Sequence, residues 1–108
     1  MLHAQYEILG ALRWVAAITS GDFNDYKQTG FWTVQADTAN LQNCPITDGG
    51  VNVRGLLIVL FYGNMAVQIT FETRTSGQSP KPVYYRQLFN NTEHGWSKWA
   101  SFNSTVVP

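Results

Sequence analysis

The chain is 108 residues long, enough for one hydrophobic core that buries about 65% of the unfolded surface, so one domain is expected. Charged residues make up only 13% against a hydrophobic fraction of 44%, and seven cations balance seven acids. With no net basic field to draw a phosphate backbone, nucleic acid is not an expected partner; neutral hydrogen-bonding groups and aromatic rings must shield the surface, a composition suited to sugars and tight protein contacts.

From Leu2 to Ile18, the apolar residues Leu2, Tyr6, Leu9, Leu12 and Ala16 recur at helical spacing and predict a short amphipathic N-terminal helix. Gly10 within it costs about 1 kcal/mol relative to alanine. A second apolar set, Ile8, Leu12, Val15 and Ile18, widens the stripe beyond what one small sheet would cover, and a partner copy would cover the rest. Glu7 and Gly10 interrupt any secretory-signal pattern, which predicts synthesis in a cytoplasm. The breaker cluster Thr19-Ser20-Gly21-Asp22 divides a helical lead-in, residues 1–20, from a β-rich body, residues 21–108.

Within the body, Phe31 to Ala36 alternates and reads as a strand. Residues 37 to 55, with Cys44-Pro45 and Asp48-Gly49-Gly50, read mostly as loop, long enough to be functional. Leu56 to Tyr62 is apolar on both faces, as a strand is when neither face meets water, and is far too short to span a bilayer. Gly63-Asn64 then makes a two-residue turn into the alternating segment Met65 to Glu72, a hairpin. Val83 to Phe89 and Trp96 to Phe102 supply two more strands around the turn Asn90 to Gly95. The predicted fold is all-β, mainly an antiparallel meander or small sandwich, with the short N-terminal helix in front.

The last hairpin carries Tyr84-Tyr85-Arg86 opposite Trp96-Ser97-Lys98-Trp99. Alternation sends Trp96 and Phe102 to one face and Trp99 to the other. Two readings stand side by side: a core face plus an arginine stacked on a ring, or an aromatic platform for a sugar ring, with Trp99 and Tyr85 as its leading candidates beside Arg86 and Trp32. Nothing points to catalysis. Glu72 reads as solvated on the polar face of its strand, Glu93 and His94 share a turn, and no nucleophile elbow or phosphate loop accompanies them. The lone Cys44 has no second ligand at metal spacing and reads as a small core residue, so no metal or cofactor is expected.

Taken in order, Asn24-Asp25-Tyr26-Lys27-Gln28-Thr29-Gly30-Phe31-Trp32, the LLIVL strand, Tyr84-Tyr85-Arg86 and Trp96-Ser97-Lys98-Trp99 resemble the pyocin-knob type of module found in tail fibres and tailspikes of bacteriophages and R-type pyocins. The resemblance covers roughly residues 22 to 103. The loop from Asp37 to Gly55 is longer than that pattern, and no binding position is carried onto it. The resemblance implies a virion protein, the C-terminal knob of a homotrimeric tail fibre or tailspike that meets bacterial cell-surface polysaccharide. Leu9, Leu12, Val15, Leu57, Val59 and Phe61 are the expected oligomer contacts. The alternatives are a purely structural trimerisation clamp without ligand, which would bury the rings between chains, and a fragment of a glycan-active hydrolase.

Overall fold

The computed structural model describes residues 12–47, 52–73, 81–89 and 95–102. Eight strands form, β1 (Trp14–Ile18), β2 (Gly21–Asp22), β3 (Gly30–Ala36), β4 (Leu41–Gln42), β5 (Val53–Tyr62), β6 (Met65–Glu72), β7 (Val83–Leu88) and β8 (Ala100–Phe102), with 3-10 turns at Phe23–Asp25 and Thr38–Asn40. Six of them make one sheet in the order β1-β3-β5-β6-β7-β8, and β2 and β4 make a small parallel pair. From β3 to β8 every pairing in the large sheet is antiparallel, the meander expected from the alternating segments. The fold is mostly β and forms a single compact domain.

The predicted N-terminal helix is not what residues 14–18 form. They make β1, which runs parallel to β3 as an edge strand, with a register irregularity between Trp14 and Ala17. Phe31 N–H donates to the Arg13 carbonyl at 3.0 Å. Trp14, Val15 and Ile18 suit a pleated strand, and a free edge on β3 gave them backbone partners that helical periodicity could not register. β1 belongs to the main sheet. Residues 2–11 of that prediction, Leu9 included, lie outside the described residues.

The central hairpin forms as expected, Tyr62 pairing with Met65 across Gly63-Asn64. Gly63 carries φ +63°, a conformation glycine adopts without steric cost. Strand β5 begins at Val53, three residues earlier than expected, because Val53 and Gly55 pair with Ala36 and Val34. Gly55 has a second reason to lack a side chain: a Cβ there would overlap the Phe71 carbonyl oxygen and touch Ile46 Cδ1 at 3.4 Å. Gly55→Ala is expected to cost about 1–3 kcal/mol by overpacking. Chemical denaturation at fixed protomer concentration checks this, and an unchanged midpoint would contradict the packing.

The two faces of the sheet differ sharply. On the inner face, Trp32, Val34, Val53, Leu57 and Val59 are buried under Ile18, Phe23 and Ile46, with Tyr26, Leu41, Cys44 and Trp99 packed at the margin. Ile18 of the edge strand β1 lies on this face beside Val34, and the cover comes from the first 3-10 turn and the loops. The same face takes the even-numbered residues of β6, so Ala66, Gln68, Thr70 and Glu72 are all buried, as are Arg86 and Leu88 of β7. The outer face takes Phe31, Leu56, Ile58, Val67, Ile69, Phe71, Val83 and Tyr85, and not one of its positions on β3, β5, β6 or β7 is buried.

Two expectations are corrected here. Leu57 and Val59 are both 0% exposed and enclosed by their own chain, so neither can serve as an oligomer contact; Ile58 and Leu60 lie on the other side of the strand. Glu72, expected in solvent, is 8% exposed, because the polar set of β6 faces the core.

Candidate functional site

Arg86 is the centre of the site. It sits on β7 directly opposite Gln68 of β6, and its Nε donates to Gln68 Oε1 at 2.8 Å. Gln68 Nε2 in turn donates to the Phe23 and Tyr26 carbonyls at 2.6 and 2.9 Å. One buried amide thereby ties the sheet to the first 3-10 turn and aims the guanidinium. Two indoles flank it, with the Arg86 Cζ 4.6 Å from the Trp96 ring centre and 4.5 Å from that of Trp99. Cation–π attraction is strongest for Trp and grows on desolvation, which offsets part of the cost of burying this charge.

Each indole is fixed at its nitrogen. Trp96 Nε1 donates to the Asn24 carbonyl at 3.2 Å and Trp99 Nε1 to the Asn43 carbonyl at 2.9 Å. The loops that present those carbonyls are joined through Asp22, whose Oδ1 accepts from Asn24 N–H and Asn43 Nδ2, both at 2.8 Å. Asn43 holds a left-handed backbone, φ 58°, a conformation asparagine tolerates better than most residues. Ser97 anchors the approach from the C-terminal side: its N–H donates to the Gln87 carbonyl at 2.8 Å and its hydroxyl accepts from Gln87 N–H at 3.0 Å.

These groups border an open cleft of about 560 Å³ lined by Asn24, Lys27, Asn43, Arg86, Trp96, Lys98 and Trp99 among others, within the size range of small-ligand sites. Burial pushes the Arg86 pKa down to about 10, against the opposing pull of Asp22 and Cys44, so the guanidinium stays charged at neutral pH. The Cys44 thiol moves the other way. Its burial raises the pKa, a hydrogen bond with the Ile46 backbone and the charge of Arg86 lower it, and Glu72 raises it. Among the described residues no group of three or more His, Cys, Asp or Glu side chains could hold a metal ion.

Of the four residues expected at a sugar platform, Arg86 and Trp99 come together here. Trp32 is in the core, its ring 5.1 Å from Tyr26 and edge-on. Tyr85 is on the outer face, stacked on Phe102 at 5.0 Å with an interplanar angle of 17°. Trp96 was expected opposite Trp99 by strand alternation but lies on the same side. The chain at 96–99 is not a regular strand, bridging β7 only through Leu88 and Trp96, so a period of two does not apply to it. Asn24, Asn43 and Gln68 were not expected at the site. Their signal was weak: amides that meet only in the folded chain have no pattern of their own in a sequence rich in Asn and Gln. Glu93 and His94 lie outside the described residues.

The outer face is the second surface of interest. Leu60, Tyr62, Met65 and Phe89 extend it at the hairpin end and, with Phe61 from the inner-face side of β5, border an apolar groove of about 380 Å³. Phe61, expected at an oligomer contact, is 40% exposed there, and Leu12 and Val15 are also exposed near the β1 edge. Comparison of the chain with models of known families, with curated proteins and with solved structures gave no match.

Proposed function

We propose that this chain is a knob module of a phage tail fibre or tailspike, assembling as a homotrimer through the outer sheet face and recognising bacterial surface polysaccharide at the Arg86 cleft. The observation that carries the reading is the orientation of β6. Its polar residues Gln68, Thr70 and Glu72 point to the core while Val67, Ile69 and Phe71 face outward beside Leu56 and Ile58. A chain that turns its polar set inward and its apolar set outward has its hydrophobic gain still to make outside the monomer. Three such faces packed about a threefold axis supply it. The order of the motifs from Asn24 to Trp99 supplies the resemblance to the tail-fibre knob.

The cleft supports recognition over a clamp without ligand, because Trp96 and Trp99 border an open space beside Asn24, Asn43 and Lys98. Three clefts on one rigid knob would raise avidity by ~10² or more over a single site when they engage one surface. Sedimentation equilibrium tests the assembly. The unaltered chain is expected to run as three copies, and Ile58→Asp or Ile69→Asp as one copy with the far-UV signature of the sheet retained. A stable monomer of the unaltered chain at micromolar concentration would contradict the proposal. A glycan array on the purified chain tests recognition, and binding lost on Trp99→Ala but kept on Tyr85→Ala is the expected pattern.

A further inference from the structure

Arg86 is only 4% exposed, yet its Nη2 is a buried donor with no hydrogen-bond partner among the described residues. Leaving a buried charged donor unmade is among the costlier arrangements a fold can hold. The rest of the side chain is fixed with care, by Gln68 at Nε and by an indole on each side. The result is a planar fork that has already lost its rotamer freedom before any ligand arrives, the arrangement suited to a carboxylate.

The charge around it agrees. Lys27, Arg86 and Lys98 line the cleft and no carboxylate does among its described lining residues. Asp22, the acid that tempers Arg86, has its Oδ1 engaged by Asn24 and Asn43. In a chain of zero net charge, Arg86 and Lys98 on one opening without a carboxylate among its described lining residues are a local asymmetry, not a reflection of composition. Asn24 Oδ1 is a second buried polar atom with no hydrogen-bond partner among the described residues, and as an amide oxygen it would take a hydroxyl hydrogen and not a second anion.

We infer that the cleft binds an acidic sugar residue, with the ring carboxylate directed to Arg86 and Lys98 and a neighbouring hydroxyl to Asn24. This rests on the glycan reading of the cleft and narrows it to uronate-type polymers. The test uses the full chain and a panel of uronate-containing bacterial capsular polysaccharides, each in native form and after carbodiimide activation and borohydride reduction of its carboxylates to alcohols. At least one native polymer is expected to bind, and its reduced form to bind about 10-fold or more weakly, the size of one charge-assisted hydrogen bond. Lys98→Gln is expected to weaken native binding by about 3-fold without altering binding of the reduced form. The indole N–H resonances of Trp96 and Trp99 should shift with the native polymer. Equal binding of native and reduced forms would overturn the inference and leave glycan recognition standing. Failure of every polymer in both forms would remove both together.

Discussion

Phe23→Ala is expected to destabilise the protein by about 3–5 kcal/mol, the usual range for removing a fully enclosed phenylalanine from a core. Phe23 is 0% exposed. Its ring meets Tyr26 edge-on at 6.2 Å and Trp99 at 6.5 Å, and it packs in the same cluster as Leu57 and Val59 of the central strand. It stands in a three-residue 3-10 turn started by Asp22, a local structure too short to hold itself. The turn persists because its one large side chain fills the inner face. Without it the cover has little to keep it on the sheet, and Trp99 loses a wall, so the glycan binding proposed for the cleft should be lost at the same time. Thermal unfolding at fixed protomer concentration measures the first effect, since assembly makes the midpoint depend on concentration. A loss under about 1 kcal/mol would mean that the inner layer holds by other contacts.

Gln68→Leu is the second large effect, about 3 kcal/mol or more, although the side chain is close in size and more apolar. By residue type alone the change should stabilise a core position. Gln68 is 0% exposed and makes three hydrogen bonds, accepting from Arg86 and donating to the carbonyls of Phe23 and Tyr26. Leucine would strip the Tyr26 carbonyl oxygen and one guanidinium N–H of the bond Gln68 supplies, each costing roughly 1–3 kcal/mol, and would leave the Phe23 carbonyl only the Tyr26 N–H at 3.3 Å. Arg86 would also lose the bond that aims it between the indoles, and tryptophan fluorescence should report that loosening below the unfolding transition. A neutral or stabilising result would show that the bonds are replaced from elsewhere.

Both effects turn on one property of the sheet, that its inner face is sealed by loops carrying polar backbone. Phe23 and Tyr26 present carbonyls where a second sheet would present side chains, and Gln68 and Arg86 are the polar groups that answer them. The polar face of β6 is therefore the necessary partner of a loop-built cover. The apolar face, released from that duty, is the outer one.

The sequence by itself determined β3, the β5–β6 hairpin and β7, while β4 formed in a segment read as loop and only residues 100–102 of the expected last strand are strand. Alternation in Phe31 to Ala36 and Met65 to Glu72, and the Gly63-Asn64 turn between two apolar segments, are local signals, and the hairpin and its meander followed from them. The pairing of Arg86 with a tryptophan was legible for the same reason, since neighbouring strands of a hairpin must lie side by side.

Tertiary structure decided which face is inside. A period of two states which residues share a face, never which face is covered, and in β6 the cover came to the polar side. It also decided the fate of Trp14–Ile18, where an unpaired edge on β3 outweighed helical spacing. And it assembled the cleft, because Asn24, Asn43 and Gln68 meet Arg86 only once the loops on either side of β3 are folded over the sheet by the burial of Phe23 and Ile46.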